Sequence, residues 1–116
     1  MISSRDTSAL LDIYHAASKV REFSRGYDQR AFLADERTQS AVLHQLLIIG
    51  EAVKRLSAGF RAQHPQIRWS PMAGMRDVLI HAYDTVDLDQ VWRTVTNEVP
   101  ALIASLQPLL SDSPQE

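Results

Sequence analysis

Apolar side chains recur at three- and four-residue intervals along most of this chain, a rhythm that belongs to the α-helix rather than the strand. From about residue 6 to 25, Leu10, Ile13, Tyr14, Ala17, Val20 and Phe23 form one such stripe. Asp6 is the expected N-cap and Gly26 the stop. A turn at Tyr27 and Asp28 follows, and residues 32–34 read as the end of a short helical piece. Over about 35–57 the pattern broadens. Val42, Leu46, Ile49, Val53 and Leu56 make one stripe, while Leu43, Leu47, Ile48 and Gly50 widen it around the helix. A helix apolar on several sides belongs at the centre of a bundle or in an interface.

Gly59, His64-Pro65 and Trp69-Ser70-Pro71 mark a long connection. Ser70 before Pro71 predicts an N-cap with proline at the first helical position, opening a helix over about 71–83. Residues 84–87 interrupt it, and Asp87 can cap a last helix over about 88–110. Pro100 inside that helix predicts a kink near Val99. Residues 111–116 read as a frayed, polar tail. The expected fold is all-α, a single domain over 1–116 with four main helices in a bundle and an extra short or kinked piece. A chain of 116 residues can bury one real core but not two.

Composition narrows the chemistry. With no cysteine, disulfides, zinc–thiolate sites and thiol nucleophiles are excluded. The longest unbroken apolar run, Leu46-Leu47-Ile48-Ile49, is too short to cross a bilayer. The opening MISSRDTSALLDIYHAA lacks the apolar core of a signal peptide, so a cytoplasmic protein with no membrane partner is expected. The formal net charge of −2 lacks the basic excess that supplies most non-specific affinity for nucleic acid. Any contact with RNA must be local, or its positive field must come from more than one copy.

Against this background, Arg76-Asp77-Val78-Leu79-Ile80-His81-Ala82-Tyr83 concentrates what reactive chemistry the chain has. It places a permanent cation, an imidazole that moves protons near neutral pH, and a phenol on one expected helix. At about 100° per residue, Met72, Met75, Val78, Leu79 and Ala82 gather on the core side, with Arg76 and His81 on opposite flanks about 140° apart. Asp77, Ile80 and Asp84 point outward between them. An isoleucine in that position suits an interface, and a two-fold homodimer would set two arginines and two histidines around one cleft. The chemistry such a cleft supports is metal-independent RNA cleavage by the neighbouring 2′-hydroxyl. His81 would move the proton, Arg76 would hold the phosphate, Asp77 would orient the imidazole, and Tyr83 would add a hydrogen bond or a stacking face.

Other residues have competing readings. Glu51 either pairs with Arg55 one turn on, or lines the cleft and orients Arg76 or His81. His15, His44 and His64 show no metal-ligand spacing, no HExxH is present, and no glycine-rich phosphate loop occurs, so neither metal nor cofactor is expected. Trp69 and Trp92 read as packing anchors. Lys54-Arg55 and the arginines at 21, 25, 30 and 37 read as solvated helix faces, with Arg37 and Arg55 as possible borders of an RNA path.

An Arg followed after a few residues by His resembles the signature of HEPN domains. More narrowly, Gly74-Met75-Arg76-Asp77-Val78-Leu79-Ile80-His81-Ala82-Tyr83 resembles the HepT-type toxins, whose motif runs Arg, Asn or Asp, three residues, His, one residue, Tyr. Phe32–Ala41, Ile49-Gly50-Glu51-Ala52-Val53-Lys54-Arg55-Leu56-Ser57, Trp69, Val86-Asp87-Leu88 and Val91-Trp92 continue the likeness in order across nearly the whole chain. The resemblance implies an all-α, homodimeric, metal-independent RNA endonuclease that serves as the toxin of a toxin–antitoxin pair, cutting tRNA or mRNA, with no DNA substrate expected. Its partner would be a small MntA-type nucleotidyltransferase antitoxin. By the same resemblance Arg76 and His81 are catalytic and Tyr83 receives AMP from the antitoxin, which silences the toxin. Asp77 stands where Asn is the commoner choice and sets a negative charge beside the phosphate site. The alternative is a non-catalytic helical module that binds a nucleotide or regulates a nucleotidyltransferase.

Overall fold

The structure, a computed structural model, describes residues 2–111. Helix α1 spans Ser4–Ser24, α2 Gln29–Leu33, α3 Glu36–Arg55, α4 Ala58–Gln63, α5 Trp69–His81, α6 Leu88–Arg93 and α7 Val99–Ser111. Tyr83–Thr85 forms a 3₁₀ turn, and Thr94–Glu98 a π-helical segment between α6 and α7. No strand occurs among the described residues, so the fold is the all-α bundle expected from periodicity. The tail expected to fray lies outside the described residues except Ser111, which closes α7.

The over-apolar helix takes the centre. α3 packs against both α1 and α5, and the π segment and α7 close the bundle on α1. Val42, Leu46, Ile49, Ala52 and Val53 are buried on α3, Leu10, Ile13, Ala17 and Val20 on α1, and Leu102, Ile103 and Leu106 on α7. Burying side chains of this size contributes about 1.5–3 kcal/mol each, so this apolar seam is what holds the helices together. Phe23, expected in the α1 stripe, is exposed instead.

Helix starts depart from the expected caps where a side chain has a stronger use. Ser3, not Asp6, caps α1, its hydroxyl accepting from the Asp6 N–H at 3.1 Å. The Asp6 carboxylate is buried, and instead accepts from the N–H and the hydroxyl of Ser57, both at 2.8 Å. Ser57 in turn caps α4, a short helix where Gly59 and His64-Pro65 predict only a connection. α5 starts at Trp69 with no side-chain cap, although Ser70 was the expected one. The buried Trp69 indole donates to the His64 carbonyl at 3.1 Å and fixes the start two residues early. Pro71 is still tolerated, because the N–H groups of a first turn have no helical partner. Gly26, at φ 79°, turns the chain out of α1 in the left-handed region that glycine favours.

The last helical stretch loosens before Pro100. Pro100 cannot donate, and the turn before it widens so that the Val99 N–H bonds to the Thr94 carbonyl five residues back. The kink expected near Val99 is met by this π segment. Trp92 lies over Phe32 of α2, ring centroids 5.1 Å apart, and ties α6 to α2.

Candidate active site

Gly50 sets the geometry of the site. It sits within a 20-residue helix, where glycine costs roughly 1 kcal/mol against alanine. A Cβ at this position would lie 2.2 Å from the Arg76 Cβ and 2.8 Å from the Met72 carbonyl oxygen. Only a bare Cα lets α5 approach α3 so closely. The next residue, Glu51, thereby meets the side chain that α5 sends across.

The Arg76 Nε donates to Glu51 Oε1 at 2.5 Å and its Nη1 to Asp77 Oδ1 at 3.1 Å. Lys54, one turn after Glu51 on α3, holds the same Asp77 oxygen at 2.9 Å. The hydrogen bond to Glu51, and then that to Asp77, raises the Arg76 pKa and keeps the guanidinium charged. The ammonium of Lys54, and next the Arg76 guanidinium, holds the Asp77 carboxyl below the usual carboxylate range. Four side chains from two helices thus form an alternating chain, Glu51–Arg76–Asp77–Lys54. Arg76 is the least exposed of them, with a quarter of its side chain accessible.

Several sequence expectations change here. Glu51 pairs with Arg76 and not with Arg55, whose guanidinium goes to Asp12 on α1. Arg76 therefore lies against α3 rather than reaching outward. Asp77 is taken up by Arg76 and Lys54, so it does not orient His81. Val78, expected in the core, is 44% exposed, and Ile80 is 45% exposed as its outward position required. α5 ends at His81, not Tyr83. Ala82 leaves helical geometry at φ −143°, ψ 40°, so Tyr83 is not carried on the α5 helix as expected. His81 is exposed at the last turn of α5 and Tyr83 opens the 3₁₀ turn 52% exposed. Neither makes a side-chain hydrogen bond to the described residues. Trp69 is buried as an anchor.

Sequence reasoning passed over two members. Gly50 was read as widening an apolar stripe, although a glycine amid strong helix formers signals close backbone approach. Lys54 was read as a solvated cation, although its i+3 spacing from Glu51 puts both on one face.

The arrangement is a helical bundle carrying a clamped arginine and, five residues on, a free imidazole at a helix end. A guanidinium can bind a phosphate and an imidazole can move a proton, and similarity to known proteins identifies the family. The Ribonuclease HepT-like family matches residues 13–109, and the chain belongs to that family. It is 44% identical over 100 residues to "Probable ribonuclease HepT" of Thermococcus cleftensis, spanning 86% of this chain and 91% of that one. It is 37% identical over 109 residues to "Putative RNase MJ0127" of Methanocaldococcus jannaschii, spanning 93% and 90%. No solved structure matches the chain at a significant level.

Proposed function

We propose that this protein is a metal-independent RNA endonuclease and the toxin of a toxin–antitoxin pair, with its active site assembled across a homodimer. The observation that carries this reading is the Glu51–Arg76–Asp77–Lys54 chain, which fixes a cation five residues before an exposed histidine. A guanidinium already held by carboxylates is preorganised, so it stabilises charge developing on a phosphate without first having to be ordered. Family membership and the names of the two relatives support RNA as the substrate.

In the proposed reaction a base takes the proton of the 2′-hydroxyl, and that oxygen attacks the adjacent phosphorus. The bond from phosphorus to the 5′-oxygen breaks, and the leaving oxygen takes a proton. The products are a 2′,3′-cyclic phosphate and a 5′-hydroxyl. One imidazole per chain serves one proton transfer at a time, and His81 of a second copy supplies the other. Arg76 faces the equatorial oxygens, whose charge grows in the transition state.

Tyr83 is the proposed control point. Its phenol is exposed, lies beyond the helix and has no hydrogen-bond partner among the described residues, as a group open to AMP transfer by a nucleotidyltransferase antitoxin should be. The added phosphate would set an anion two residues from His81, where an RNA phosphate would otherwise sit.

The test is cleavage of total cellular RNA by purified protein in EDTA, with His81→Ala alongside and Tyr83 shown unmodified by intact mass. Cleavage by the wild type and none by His81→Ala is expected. No cleavage by either would overturn the nuclease reading in favour of a partner-binding module.

A further inference from the structure

On the face of α5 turned toward α6, away from the clamp, lies an open cleft of about 530 Å³. That volume falls within the range of small-ligand sites. Met75, Val78 and Val86 give it an apolar floor, while Gln90, Arg93 and Asn97 stand along its α6 and π-segment side. The charged groups of the cleft are unequal. Arg68 is committed to Glu98 at 2.6 Å, and Asp87 caps α6 by accepting from the Asp89 and Gln90 N–H groups. The Arg93 guanidinium and the side-chain amides of Gln90 and Asn97 make no hydrogen bond to the described residues. What remains available is one cation, two amides that each donate and accept, and an apolar floor.

The cleft also points at the reacting histidine. Gly74, Val78 and His81 follow one another at four- and three-residue intervals, which places them on one face of α5. Gly74 and Val78 line the cleft, and His81 stands at the end of the same stripe. A Cβ on Gly74 would meet nothing within 4 Å, so the space over the helix is open there.

We propose that this cleft seats one unpaired nucleotide of the RNA substrate, next to the scissile phosphate. The base lies on Met75, Val78 and Val86, its hydrogen-bonding edge meets Gln90 and Asn97, and a flanking phosphate meets Arg93. A base engaged in a duplex presents neither its face nor its pairing edge, so the seat selects single-stranded RNA. The two amides make it a reader of base identity. This inference rests on the ribonuclease reading for its substrate, but its binding step can be measured without cleavage.

The experiment uses full-length His81→Ala protein and a fluorescently labelled single-stranded RNA of mixed sequence, with the same RNA as a duplex. Gly74→Leu, which fills the open space over the helix, should weaken single-strand binding about tenfold or more. Gly74→Ala, adding one methyl, serves as the folded control, and the duplex should bind worse than the single strand. In the cleaving protein, Gln90→Ala and Asn97→Ala should shift the base preferred beside the cut. Single-strand binding that is absent, or unmoved by Gly74→Leu in a protein melting like its parent, would overturn the seat. Unchanged cleavage preference in both amide variants would do the same if Gly74→Leu does not fold. Loss of binding in Gly74→Leu together with no cleavage by the wild type would overturn the nuclease and leave the seat standing.

Discussion

A methyl group at position 50 would collide with Arg76, so the crossing of α3 and α5 is sensitive to one added carbon. Gly50→Ala gains helix propensity of roughly 1 kcal/mol. It must also push α5 off α3, and overpacking of this kind costs about 1–3 kcal/mol. Displacement of the clamped arginine by an ångström can cost about 100-fold in rate. A folded Gly50→Ala protein with RNA cleavage reduced by about that factor is expected, and undiminished cleavage would show that the close approach does not matter to the site. Tyr83 makes the opposite prediction, because its hydroxyl holds nothing in place. Tyr83→Phe should cleave RNA like the wild type and escape the antitoxin in a co-expression growth assay; full neutralisation by AMP transfer would mean that another residue accepts the nucleotide.

Among the elements, α1 and α4 depend on one buried carboxylate. Burial works to raise the Asp6 pKa, but the hydrogen bonds from the Ser57 N–H, the Ser57 hydroxyl and Ser3 outweigh it and hold the group below its ordinary value. A carboxyl depressed in the folded state stabilises the fold above its unfolded pKa of about 3.9, and that contribution disappears as pH falls through the folded value. Asp6→Asn should therefore lose about 1.5–3 kcal/mol at pH 7. The gap to wild type in urea unfolding should shrink on acidification below about pH 4. Asp35 and Asp77 are also depressed, the first by the Tyr27 hydroxyl and the second by Lys54, but both titrate in wild type and variant alike. A gap that stays constant with pH would remove the argument.

The helices themselves were legible in the sequence because apolar periodicity is set by the core each helix must bury. Their ends were less so, since a cap is chosen by whichever tertiary partner binds harder. Asp6 left its cap for Ser57, and Trp69 overrode Ser70 by reaching the His64 carbonyl. The site followed the same division. Arg76 and His81 stood out by residue type, whereas Gly50 and Lys54 acquire their roles only when α5 lies across α3.

As a whole, the molecule leaves Ile80 exposed on α5, between the candidate catalytic residues Arg76 and His81. An exposed isoleucine in that place suits a second copy better than open water. A homodimer would also double the local positive charge that a net −2 withholds. Ile80→Asp should give a monomer by sedimentation that no longer cleaves RNA, whereas an active monomer would disprove a composite site. No helix among the described residues is long and apolar enough to cross a membrane.

The crossing at Gly50 has one more consequence, for motion. Where two backbones nearly touch, neither helix can slide or roll without the other, so the turn bearing Arg76 moves only with the core. His81 sits at the opposite condition, in a final helical turn with no side-chain bond to steady it. The guanidinium is thus held by the packing of the core, whereas nothing among the described residues holds the orientation of the imidazole.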